Sequence, residues 1–125
     1  MSFTNFTELE VYKECRLFRK DVSVIVKTFP KEEKFLLSSQ LLEAARSITA
    51  NIAEGFGRFH FQENIQFCRI SRGSLTESLE HLITAFDENY ISTEKLVEMK
   101  TKFDKCLKLL NGYIHYLEKS KRGDK

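Results

Sequence analysis

At 125 residues with 42% hydrophobic content, the chain has the size and apolar share of one domain that buries its core without metal or disulfide. Its 20 basic and 18 acidic residues leave a formal net charge of +2, which excludes the strongly basic character of a dedicated nucleic-acid module. Three distant cysteines, Cys15, Cys68 and Cys106, exclude a C-x-x-C site and an evenly paired disulfide framework, and no stretch approaches the roughly 20 apolar residues of a membrane span.

The amino terminus, MSFTNFTELE, has neither the basic start nor the apolar run of a signal peptide, so the expectation is a soluble cytoplasmic protein with no membrane association and reduced, buried thiols. Thr7-Glu8-Leu9-Glu10 then reads as a capping box. Val11, Cys15, Phe18, Val22, Ile25 and Phe29 follow at intervals of four and three, the spacing of a packed helix over about 8–28. The single proline, Pro30, suits the first turn of a second helix over about 31–54, with Glu32 and Glu33 at its positive end. Leu37, Leu41, Ala44, Ala45, Ile48 and Ile52 form its buried stripe, and Gly55 is expected to end it in the left-handed conformation.

Beside that stripe, Gln40, Ser47, Asn51 and Glu54 fall in one narrow polar row, unusual for side chains of low helix propensity, and something should hydrogen-bond to it. The third helix, about 61–88, carries Phe61, Ile65, Cys68, Leu75, Leu79, Leu82 and Phe86, with Arg72 in a seam position that predicts pairing with Glu54 or another acid. A glycine inside a helix costs roughly 1 kcal/mol relative to alanine. Gly73 is therefore expected to admit the second helix, with Ser47 or Asn51 against the Gly73-Ser74 backbone. Arg58, Arg69 and Arg72 with Phe56 and Phe59 beside them have the residue types that hold phosphates and stack on bases; the competing reading is that Phe56 and Phe59 plug the adjoining end of the bundle.

Ser92 caps a fourth helix over about 93–119, whose stripe is Leu96, Met99, Phe103, Cys106, Leu110, Ile114 and Leu117, with 120–125 as a tail. No segment alternates with period two. Four helices with short connections predict an all-α, antiparallel up-down-up-down four-helix bundle, one domain spanning 1–125. Leu17 and Val24 on the first helix, Phe35, Leu42 and Ala53 on the second, and Phe67 and Ile70 on the third lie off the main stripes. Apolar residues aligned in this way predict a second contact surface, and a neighbouring copy of the chain is the simplest occupant.

Catalytic motifs do not emerge. Glu77 and His81 lie four apart on one helix face, but no second E-x-x-H or H-E-x-x-H completes a metal site, and Gly55-Phe56-Gly57-Arg58 follows a helix and not a strand. The expectation is a protein without catalytic activity, metal or cofactor. Positive charge gathers after Ser92, where nine basic residues stand against five acidic ones, leaving +4 there and −2 elsewhere. Lys102, Lys105 and Lys108 form a row on the fourth helix, and with Arg58 they are the candidate contacts for RNA or another nucleic acid. A solvated helix face is the competing reading.

The residues Phe29-Pro30, Glu33, Gln40, Ser47-Ile48, Asn51-Ile52-Ala53-Glu54-Gly55, Gly57-Arg58, Phe67, Gly73-Ser74-Leu75, Glu77 and Tyr90-Ile91-Ser92 carry a resemblance over nearly the whole chain. It resembles the small helical-bundle proteins encoded within intervening sequences of bacterial 23S ribosomal RNA genes, a family also described as ribosomal-protein-like, and is similar to the accessory protein of diversity-generating retroelements. Leu42-Glu43 stands where that family commonly carries a basic pair, and Asn89 where it often has glycine; asparagine also tolerates the left-handed conformation. The resemblance implies a homo-oligomeric ring, a pentamer in the expected form, that binds nucleic acid without an enzymatic activity or a cofactor. The alternative is a protein-interaction or scaffold module with no nucleic-acid role.

Overall fold

Helix formation follows the apolar spacing closely, while the helix ends follow contacts made across the bundle. The computed structural model describes residues 5–123, with side chains described through 120. The basic residues Lys121, Arg122 and Lys125 therefore lie outside the described side chains. Among the described residues there are four α-helices and no strand: α1 Glu10–Val26, α2 Leu37–Gly57, α3 Phe61–Asp87 and α4 Thr93–Gly123, with short 3-10 turns at Phe6–Glu8 and Lys31–Glu33.

The start of α1 differs from the expected capping box. Asn5 caps the preceding 3-10 turn, accepting from the Thr7 amide at 2.8 Å and from the Thr7 hydroxyl. Leu9, the residue before α1, is buried instead of capping through its side chain. The second helix also starts later than Pro30. Residues 31–33 form the 3-10 turn, and Glu33 reaches forward to accept from the Leu37 amide at 3.2 Å and across to accept from the Tyr90 hydroxyl at 2.8 Å. One carboxylate thus satisfies a free amide of α2 and ties it to the α3–α4 turn.

That turn is a Schellman motif. The Tyr90 amide donates to Ala85 O at 2.8 Å and the Asn89 amide to Phe86 O at 2.9 Å, with Asn89 left-handed at φ 66. Ser92 caps α4 by accepting from the Lys95 amide at 3.0 Å, as its position predicts. The helix then runs past the expected end at 119 to Gly123.

Each helix packs on its chain neighbours and α1 closes on α4. Cross-helix pairs fix the direction: Ser47 meets Ser74 and Gly55 meets Asn64, while Asp21 meets Lys102 and Glu14 meets Lys105, so both helix pairs are antiparallel. The predicted stripes of α1, α2 and α4 are all buried. The largest fully buried side chains include Phe18, Leu41, Ile48, Leu75 and Met99, each contributing about 1.5–3 kcal/mol of burial.

The α3 seam departs from the apolar pattern. Ser71 and Ser78 are fully buried in it, while Phe61, Leu79 and Phe86 are half-buried at its margin. Ser71 donates to Ile48 O of α2 at 2.7 Å. The turn of the seam passes through Ser71, so Arg72 is displaced to the surface, where it donates to Asn111 Oδ1 at 2.8 Å in place of the expected acid. Small side chains at this seam let α2 and α3 approach closely.

The close approach lies at Gly55 and not at Gly73. A Cβ on Gly55 would come within 2.8 Å of Asn64 Oδ1 and 2.9 Å of Phe67 Cβ, whereas a Cβ on Gly73 would meet nothing within 4 Å. Gly55 is therefore an interior residue of α2 and not its left-handed end, and no described glycine has positive φ. Phe59 takes that role at φ 61, with its side chain 87% exposed. Only Phe56 of the expected aromatic plug packs on the core.

Candidate nucleic-acid interface

The polar row on α2 resolves into two parts. Asn51 Nδ2 donates to Ser47 O and to Ser47 Oγ, both at 2.8 Å, and Ser74 Oγ donates to Ser47 Oγ at 2.8 Å. This is hydrogen-bonded packing between α2 and α3. Gln40 and Glu54 are exposed and lie outside it; Glu54 accepts from Arg58 Nε at 3.1 Å instead. Beneath Gly55, buried Asn64 donates to the Tyr113 hydroxyl at 3.1 Å and accepts from the Cys68 thiol at 3.5 Å.

The three cysteines are buried and free. A hydrogen bond with Cys106 and burial push the Cys15 thiol well up, and burial pushes Cys68 up to about 12, so Cys15 and Cys68 are held in the protonated, unreactive form. His81 Nε2 lies 3.2 Å from Glu77 Oε2. Among the described residues no three His, Cys, Asp or Glu side chains gather as a metal site.

The candidate cations separate by environment. Lys102 faces α1, where its Nζ donates to Asp21 Oδ2 at 2.6 Å and to Glu98 Oε2 at 2.9 Å. The Asp21 hydrogen bond, chiefly, raises the Lys102 pKa, and the Lys102 hydrogen bond lowers that of Glu98. Lys102 is thus a clamp between helices. Arg58 is similarly engaged, by Glu54 and by Glu63 at 3.5 Å, with its guanidinium 5.0 Å from the Phe67 ring centroid. Arg69 lies 3.6 Å from Glu118.

Lys105 is more open, 64% exposed beside Glu14 at 3.4 Å, and Lys108 is exposed with no ion pair among the described residues. Thr101, Lys105, Lys108, Gly112, His115 and Lys119 recur at intervals of four and three and are all exposed, so they form one outward stripe of α4 that contains no acidic residue. Sequence reasoning missed Lys119 as part of this row and included Lys102. The spacing that links 105, 108 and 119 was available; the partners that remove Lys102 belong to another helix.

A groove of about 540 Å³ borders the stripe, between the start of α1 and the later half of α4. Of the residues singled out as an oligomer surface, Leu17, Val24, Phe35 and Ile70 are 51%, 64%, 83% and 52% exposed. Leu42 and Phe67 are half-buried.

The model of the 23S rRNA-intervening sequence protein family matches residues 7–112. Among solved structures, the chain is similar to a protein of unknown function from the S23 ribosomal protein family of Bacteroides thetaiotaomicron VPI-5482. The TM-score is 0.77 at 24% identity, covering 84% of this chain and 95% of that one; at this identity the likeness carries the fold. No curated protein matches significantly.

Proposed function

The chain belongs to the 23S rRNA-intervening sequence protein family, and we propose that it is a non-catalytic, homo-oligomeric bundle that binds RNA through the outward stripe of α4. The observation that carries this reading is the outward row of Lys105, Lys108 and Lys119 on a stripe of α4 that holds no acidic residue, with Lys105 64% exposed beside Glu14 of α1. A phosphate backbone responds to summed charge, and several copies of a modest row make a strong field. The exposed Leu17, Val24, Phe35 and Ile70 support association of copies. The family resemblance makes a pentamer the expected form, and buried, free thiols favour the cytoplasm as the location; no helix among the described residues is long and apolar enough to cross a membrane.

Filter binding of a structured RNA over a salt series tests the proposal. Affinity should be present at low salt and fall steeply as salt rises, and replacing Lys105, Lys108 and Lys119 by Gln should reduce the slope by about three. Absent binding at low salt would exclude the RNA reading and leave a scaffold role, toward which the exposed Phe59 side chain points.

A further inference from the structure

We propose that the groove between α1 and α4 receives an unpaired nucleobase of single-stranded RNA, stacked on Tyr116, while the neighbouring phosphates lie on the lysine stripe. This rests on the RNA reading above and names the form of RNA. The groove is lined by Leu9, Val11, Leu109, Tyr113 and Tyr116, with Lys108 and Glu10 at its edge. Its volume of about 540 Å³ lies in the ordinary range for small-molecule sites.

Two tyrosines give the groove an aromatic platform. The Tyr113 and Tyr116 rings are stacked, 6.2 Å between centroids and 15° from parallel. Tyr113 is fixed from below because its hydroxyl accepts from buried Asn64. Burial also pushes its pKa up to about 12, so the phenol stays neutral beside an anionic ligand. Tyr116 is 52% exposed and free to take a flat ring. One turn earlier, Gly112 has nothing within 4 Å of where a Cβ would stand, so the surface of α4 recedes beside Tyr116.

Charge complementarity identifies the occupant. Lys108 belongs both to the groove and to the outward stripe, with Lys105 and Lys119 before and after it on the same face. An apolar aromatic slot edged by lysines fits a planar base attached to a phosphate chain. Glu10 lies on the α1 side, next to Lys13 at 3.5 Å, and directs the backbone to the α4 side. A duplex keeps its bases stacked inside, so the slot selects single strands and loops.

Fluorescence anisotropy with a labelled single-stranded oligoribonucleotide and a duplex of equal phosphate number provides the test, on the full chain. Tyr116→Ala should weaken single-strand binding roughly tenfold with the duplex affinity and salt slope unchanged. Tyr116→Phe should retain binding, and Gly112→Leu, which fills the recess while leaving every charge, should reproduce the loss. Unchanged single-strand affinity in Tyr116→Ala, or an equal loss for the duplex, would overturn the base slot while the RNA reading stands. A changed molar mass in Tyr116→Ala would reassign the groove to a subunit contact and overturn it as well. Failure of the unmodified chain to bind either RNA at low salt would remove both proposals together.

Discussion

Three positions, on α2, on α3 and in the turn between them, show how single residues set this fold. At Gly55 an added methyl group would strike the Asn64 side-chain oxygen, which is held by its hydrogen bond with Cys68, and the Cβ of Phe67, which cannot move without shifting α3. Gly55→Ala is therefore expected to lower stability by about 1–3 kcal/mol in chemical denaturation. Gly73→Ala should raise it by about 0.5–1 kcal/mol, because open space surrounds that position and alanine favours the helix. Phe59 holds a left-handed backbone with an almost fully exposed ring, so Phe59→Gly should also stabilise, by about 1 kcal/mol, through release of backbone strain. The two glycines look alike in the sequence; only the neighbouring helix distinguishes them.

Between helices, the polar contacts have separate tasks. Ser47, Asn51, Ser71 and Ser74 set the register of α2 on α3, while Asp21, Glu98 and Lys102 hold α1 to α4. The Glu98 pKa is lowered, chiefly by the Lys102 hydrogen bond. Its contribution is therefore present above the unfolded-state value of 4.5 and is lost as pH falls through the lowered folded value. Glu98→Gln should reduce the acid sensitivity of unfolding in that window, measured as the pH dependence of the denaturation midpoint. The four helices could be read from spacing because long apolar stripes survive any detail of packing. The start of α2 could not, since Glu33 acts jointly on Leu37 and on Tyr90, 57 residues away. Nor could the serine seam of α3, because apolar periodicity does not register Ser71 and Ser78. The same limit applied to the site: the lysine spacing was visible, but the partner that withdraws Lys102 lies 81 residues away.

At the scale of the whole molecule, the exposed apolar residues of α1 provide the most direct test of the proposed association. Leu17→Glu with Val24→Glu adds charge to two side chains that are already more than half exposed, so the helical signal should persist while the molar mass in solution falls toward one chain. An unchanged mass would place the contact surface elsewhere. The way α1 is held has a further consequence. Among the α-helices it packs on α2 and α4, and its ionic links to α4 among the described residues are the partly exposed pairs Asp21–Lys102 and Glu14–Lys105, whereas α2 and α3 interlock through buried serines and the Gly55 recess. Were the segment 27–36 to straighten, α1 of one molecule would fit the same cleft in another with its contacts to α2 and α4 kept, and the Glu33 bonds to Leu37 and Tyr90 and the burial of Phe29 are what oppose that exchange.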